Sequence, residues 1–193
     1  MNIIRAGDYR RMAWKNGAGE TTEIVVSPAG ASLDSFDWRV SMARVALAGP
    51  FSVFPGIDRT LCILTGRGID LTIAGQGTRR LDRDSDPLRF SADVAAAADL
   101  RDGAIEDLNV MTRRGRFDHS LRRIRTERPT GLSRTGEVML VLIRGAGAVL
   151  KSGAAEIEAL DGDTGVFEAP GEAAAEVRPS GLLDLYVIDI RRV

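Results

Sequence analysis

The chain has 193 residues, 44% of them hydrophobic, with 26 basic side chains against 27 acidic ones. That length and apolar share suffice for one large domain or two small ones. The balanced charge offers no phosphate-binding stripe, so nucleic-acid recognition is not expected. No apolar run approaches the roughly 20 residues of a membrane-spanning helix, and the N-terminus lacks the apolar stretch of a signal peptide. The single cysteine, Cys62, forbids an intramolecular disulfide and sits in the apolar run Leu61–Leu64, where it reads as a small buried hydrophobe. Cytoplasmic residence without membrane contact is the expectation.

Taken in chain order, the predicted elements are short strands separated by turns. Trp14 to Thr21 (Trp-Lys-Asn-Gly-Ala-Gly-Glu-Thr) carries an Asn-Gly turn signal. It reads either as a plain hairpin turn with a packing Trp14, or as a loop whose backbone N–H groups cup an anion with Lys15 adding charge. Thr21–Val26 is rich in β-branched residues. Trp38–Val45 alternates, with Arg39, Ser41 and Ala43 on one face and Trp38, Val40 and Met42 on the other. The segment 49–59, stiffened by two prolines and two glycines, delivers Asp58 and Arg59 to the next strand. The pair either ties the loop down or offers the planar Arg59 fork to a carboxylate.

Strands follow at Thr60–Leu64, at Ile69–Ile73, in a short run ending at Leu81, and at Leu88–Phe90. Ser91–Leu100 is the one helical candidate. Glu106–Thr112 alternates, with Asp107, Asn109 and Met111 sharing a face. In a barrel, such polar residues either line a wet interior or meet bulk solvent. The basic run from Arg113 to Arg125 reads as a solvated edge strand. Later strands are expected at Val138–Ile143, Ala148–Lys151, up to Leu160, at Val166–Glu168 and at Leu182–Ile190.

The chain repeats itself. An ungapped shift of 79 positions, the interval from Leu61 to Leu140, also superposes Gly66 on Gly145, Gly68 on Gly147, Leu71 on Leu150, and Leu81, Asp82 and Asp84 on Leu160, Asp161 and Asp163. The fold expected is all-β: two cupin-like barrel halves in one compact chain, residues 1–115 and 116–193, with strands exchanged between the halves an open possibility. The stretch Gly162-Asp163 to Pro170-Gly171 resembles the second motif of the cupin superfamily, where an imidazole follows to bind metal. Glu172, Ala173, Ala174 and Ala175 follow here. With His119 as its only histidine, the chain is not expected to build an imidazole-held metal site, a Ser-His-Asp triad or a Cys-His pair. His119 itself is expected on a strand, facing solvent or a carboxylate. No cofactor is implied.

Together these segments resemble the HutD/Ves family. The match runs through Trp14 to Thr21 with Glu23 after it, Phe36-Asp37-Trp38-Arg39 to Val45, Gly49-Pro50-Phe51 to Arg59, Leu64 to Gly68, and Asp107-Leu108-Asn109-Val110-Met111 with Arg113. The resemblance implies a bicupin, often a homodimer, in the bacterial cytoplasm and linked to histidine utilisation. It implies a pocket in the N-terminal half using Arg59, with Asn16, Arg39, Ser41 and Asn109 as further contacts. Three functions follow as alternatives. The favoured one is a metal-free binding protein for a small carboxylate such as urocanate or formiminoglutamate. The second is a metal-independent isomerase or hydrolase using Asp107, Asp58 or Glu23 as acid or base. The third is a dimeric interaction scaffold.

Overall fold

The structure is a computed structural model, and it describes residues 1–14, 17–170 and 172–193. Its nineteen described strands are β1 Asn2–Ile4, β2 Arg10–Ala13, β3 Gly19–Ser27, β4 Trp38–Val45, β5 Gly49–Pro50, β6 Ile57–Thr65, β7 Ile69–Ile73, β8 Gly77–Leu81, β9 Leu88–Ser91, β10 Ala96–Leu100, β11 Ile105–Arg113, β12 Phe117–Thr126, β13 Thr130–Ser133, β14 Val138–Gly145, β15 Ala148–Ser152, β16 Ala155–Ala159, β17 Thr164–Phe167, β18 Ala174–Pro179 and β19 Leu183–Arg192. One 3-10 turn at Ala6–Asp8 is the only helical element among the described residues. The expected helix at Ser91–Leu100 is a correction: those residues end β9, turn, and form β10. Ala96, Ala98 and Leu100 pair with β7, and burial alternates along the strand. Partner strands here override the helix preference of alanine.

The chain divides into two units, Arg10–Phe117 and Met1–Tyr9 with Asp118–Val193. The N-terminal unit holds a six-stranded sheet in the order β2-β3-β4-β11-β6-β9 and a four-stranded sheet β5-β10-β7-β8. Leu61, Ile63, Ile69, Leu71, Ile73, Phe90, Ala98 and Ile105 from both sheets form one apolar core, so the pair is a β-sandwich. Among the described residues its sheets are not closed into a hydrogen-bonded barrel. The C-terminal unit repeats the plan with β1-β17-β14-β19-β12 and β13-β18-β15-β16, around Met139, Val141, Ile143, Leu150, Phe167, Leu185 and Val187. The basic run supplies β12 at a sheet edge, as its charge pattern suggests. His119 on that strand is buried rather than solvent-facing.

The 79-residue repeat is therefore structural, with β7 falling on β15 over their full lengths, and it extends beyond the matching residues. The strand orders β4-β11-β6-β9 and β12-β19-β14-β17 correspond, as do β5-β10-β7-β8 and β13-β18-β15-β16. Gly66, just after β6, and Gly145, the last residue of β14, both have positive φ (90° and 111°), where a side chain would be strained.

One detail departs from the ungapped alignment. Leu61 belongs to its unit's core, but its sequence match Leu140 lies outside the cluster that holds Met139, Val141 and Ile143. The reason is a bulge. β11 pairs Asp107 with Ile63 and Glu106 with Thr65, skipping a residue, whereas β14 and β19 pair without a break. A one-residue bulge turns the rest of the strand over. Matching the interior faces and the cross-strand pairs places Arg59 on Met139, Asp107 on Leu185 and Asn109 on Val187.

The second cupin-like motif survives as a turn. Asp163 accepts hydrogen bonds from the N–H groups of Ala6 (2.9 Å) and Leu160 (3.0 Å) and pairs with Arg5 at 2.8 Å. Glu172, which follows the motif's Pro-Gly, accepts from the N–H groups of Glu168 and Ala169, each at 3.0 Å. Gly171 lies outside the described residues.

Candidate functional site

A cavity of about 580 Å³ opens within the N-terminal unit. Its polar floor is made where three neighbouring strands present interior residues: Arg39 and Ser41 from β4, Asp107, Asn109 and Met111 from β11, and Arg59 from β6. Register sets the rows, with Arg39 and Arg59 both opposite Met111, and Ser41 opposite Asn109. Each of these side chains is at most 7% exposed. Trp14, Phe51 and Phe54 add aromatic walls.

The two arginines differ. Arg39 donates from Nε to Glu23 Oε2 at 2.6 Å and from Nη1 to Ser41 Oγ at 3.3 Å, so its charge is neutralised. A second bulge lies beside this pair. Between Glu23 and Val25 the β3 register slips, which sets both Glu23 and Val26 against the interior row of β4. Arg59 has no such partner. Its guanidinium carbon stands 5.3 Å from the ring centres of both Phe51 and Phe54 and 6.0 Å from that of Phe90. Its side chain makes only a weak hydrogen bond among the described residues, from Nη2 to Met111 Sδ at 3.8 Å, and its Nε is buried without a partner. Burial, opposed by the attraction of Asp107 and helped by the repulsion of Arg39, lowers its pKa to about 10.

Asp107 is fully buried. Its Oδ1 accepts from Asn109 Nδ2 at 2.6 Å, while Oδ2 has no partner. Burial raises its pKa to about 7, against the pull of Arg59 and of the Asn109 hydrogen bond. Arg59 and Asp107 attract one another through space, but no ion pair joins them among the described residues.

Asp58 is not part of this floor. Neighbours on a strand face opposite ways, and Asp58 pairs with Arg114 (2.6 Å) and Arg89 (3.0 Å). Burial acts to raise its carboxyl, but these arginines hold it below the usual range. Of the acid–base candidates Asp107, Asp58 and Glu23, only Asp107 stands in the cavity without a counter-ion contact. Lys15 and Asn16 lie outside the described residues. On either side of them, Trp14 N–H donates to the Gly19 carbonyl (2.9 Å) and Gly17 N–H to the Trp14 carbonyl (3.0 Å). Trp14 Nε1 donates to Thr21 Oγ1 at 2.8 Å, which fixes the indole on the cavity wall.

Sequence reasoning missed the Glu23–Arg39 pair, the Phe51–Phe54 clamp on Arg59 and the Met111 contact. The cross-strand register would have given the last, but only once the bulges were placed. Transition metals in cupin folds rest on imidazoles. The donor set here does not fit one: no three His, Cys, Asp or Glu side chains converge among the described residues, and His119 belongs to the other unit.

The fold and site thus define a two-half β-sandwich of cupin type with a buried, polar-floored cavity in its N-terminal half. A family model described as HutD matches residues 6–183, and the chain belongs to that family. A 21.2 kDa protein in the hutC 3′ region of Pseudomonas putida is 40% identical over 111 residues, 58% of this chain and 57% of that one. Protein Ves of Citrobacter koseri is 38% identical over 138 residues, 69% and 71% of the respective chains. Among solved structures, a conserved protein of unknown function from Pseudomonas aeruginosa PAO1 superposes with a TM-score of 0.90 at 29% identity, covering 98% of each chain. HutD from Pseudomonas fluorescens SBW25, solved in a formate condition, superposes with a TM-score of 0.79 at 28% identity over 100% of this chain and 98% of that one. A cupin 2 conserved barrel domain protein from Leptotrichia buccalis, 10% identical with a TM-score of 0.60, shares the fold alone.

Proposed function

We propose that this protein binds a small carboxylate in the N-terminal cavity without a metal, and that it does so in the service of sensing or tuning histidine utilisation. The observation that carries the reading is Arg59, a buried guanidinium clamped by two phenylalanines and in contact with no carboxylate of the described residues. A desolvated cation without a counter-ion costs several kcal/mol, and an incoming carboxylate is the planar, bidentate partner a guanidinium fits. The duplicated half supports this. Where the N-terminal unit has Arg59, Asp107 and Asn109, the C-terminal unit fills the same interior positions with Met139, Leu185 and Val187. The fold itself does not call for polar groups there. The link to histidine utilisation draws on the names of the relatives from two Pseudomonas species.

Calorimetric titration with urocanate and with formiminoglutamate tests the reading. At least one is expected to bind, and Arg59→Ala is expected to lose at least about 1.5 kcal/mol, the low end for a charge-assisted bond. Unchanged affinity in the variant removes Arg59 from the site. One observation favours a second reading: a carboxyl with a pKa near 7 is suited to general acid–base work. Turnover of either compound by metal-stripped protein, lost in Asp107→Asn, would establish a metal-independent enzyme.

A further inference from the structure

The side chain with the most informative surroundings after Arg59 is Asn109. An amide carries a donor end and an acceptor end, and which end meets a ligand depends on what holds the other. An ionised carboxylate only accepts, so the Asn109 end facing Asp107 is the N–H end, bonded at 2.6 Å to a carboxylate with no solvent exposure. The Asn109 carbonyl oxygen is left on the cavity side. Asn109 lines the cavity, and its hydrogen bond to Asp107 uses only the Nδ2 end. Asp107 shares the cavity floor but has no exposed surface, and its Oδ1 is engaged by Asn109. Its effect on a ligand passes through Asn109.

We propose that Asp107 is a positioning residue that locks the Asn109 carbonyl toward the cavity, so that the site selects carboxylates that also carry an N–H or O–H donor. The inference rests on the carboxylate reading of Arg59 and adds the second functional group to it. Asn109 stands two residues along β11 from Met111, the residue opposite Arg59. About 7 Å of strand rise therefore separates the acid-binding and donor-binding rows. A short chain with its acid at one end and its donor a few bonds away spans that interval. A simple fatty acid leaves the acceptor unmet.

Matched probes test this. 4-Acetamidobutanoate and 6-oxoheptanoate differ only by N–H against CH₂, as do N-acetylglycine and levulinate. Wild-type protein is expected to bind an amide of one of these pairs about fivefold to tenfold tighter than its ketone, the worth of one hydrogen bond. Asp107→Leu and Asn109→Val adopt the residues that the C-terminal half carries at these positions, which keeps folding from confounding the result. Both are expected to lose the preference, the amide falling to the level of its ketone in each variant. Equal affinity for amide and ketone in the wild type, with both lost in Arg59→Met, overturns the donor requirement and leaves the carboxylate reading standing. A preference that survives Asp107→Leu overturns the positioning role. No binding of any probe overturns both readings.

Discussion

Arg59 ought to be a burden to the free protein, and replacing it should show this. The substitution is Arg59→Met, which installs the residue that the C-terminal half carries at the corresponding position, Met139. Burial brings the Arg59 pKa from 12.5 to about 10, net of its attraction to Asp107, and that shift corresponds to a cost of about 3 kcal/mol for the charged form. A cation whose folded pKa lies below its unfolded one opposes folding at every pH under about 10, so the full cost applies at pH 7. Against it stands the stacking on Phe51 and Phe54, worth about 2 kcal/mol at a desolvated site, part of which the methionine sulfur recovers. Methionine keeps the apolar stem and removes the charge, and Asp107, deprived of its attraction, takes up a proton rather than remaining an isolated anion. The balance is a gain of about 1 kcal/mol, or about 3 °C in Tm for a chain of this size. Thermal unfolding followed by circular dichroism in ligand-free buffer at pH 7 measures it. Stabilisation together with loss of carboxylate binding is the signature of a side chain kept for function. A fall in Tm of similar size would show that Arg59 pins the aromatic wall as a structural element, and the reasoning would be wrong.

Four further outcomes are expected. The Asp107 carboxyl titrates at about 7 in the folded protein against 3.8 for an ordinary aspartate, so the folded state binds the extra proton between those values. This group's contribution to stability therefore declines as pH rises from about 4 to 7. Denaturant titrations at pH 5 and pH 8 should show that decline in the wild type and a flatter profile in Asp107→Asn; Asp58 and Asp163, held below the usual carboxylate range, lose their contributions only in more acidic solution. The preference for amide over ketone probes should weaken below about pH 7, where a protonated Asp107 can itself donate to the Asn109 carbonyl; a preference constant from pH 5.5 to 8 would contradict this. Gly19→Ala places a Cβ 2.2 Å from the Arg44 carbonyl oxygen and 3.1 Å from the Trp14 ring, so a loss of about 2–3 kcal/mol with altered tryptophan emission is expected. Asp163→Ala removes the partner of two backbone N–H groups and Arg5, and chemical unfolding should report a loss of about 2–4 kcal/mol.

Much of the strand plan was legible because a β-strand writes its burial at every second residue. Alternation on β4 and β11 placed Arg39 with Ser41 and Asp107 with Asn109 on common faces, and both faces line the cavity. The 79-residue repeat announced two similar halves before any strand was paired. What the sequence concealed depends on events that local patterns do not encode. The bulges at Glu23–Val25 and Glu106–Asp107 shift register by one residue, which seats Val26 rather than Val25 opposite Arg39 and displaces the alignment of Leu61 from Leu140 to Val141. The alanine-rich run in β10 reads as helix until the partner β7 is present. Asp58 and Arg59 look like a pair in sequence, yet strand geometry sends them to opposite faces, one to Arg89 and Arg114 and the other to the cavity. That Arg59 is unpaired while Arg39 is neutralised emerges only from the three-dimensional arrangement.

A crystal structure of the protein soaked with 4-acetamidobutanoate tests the central claim most directly. The carboxylate is expected within hydrogen-bonding distance, about 3 Å, of the Arg59 guanidinium between Phe51 and Phe54, with the amide N–H on the Asn109 carbonyl. Arg59 turned out of the cavity, or a ligand whose acid rests on any group other than Arg59, would contradict the account.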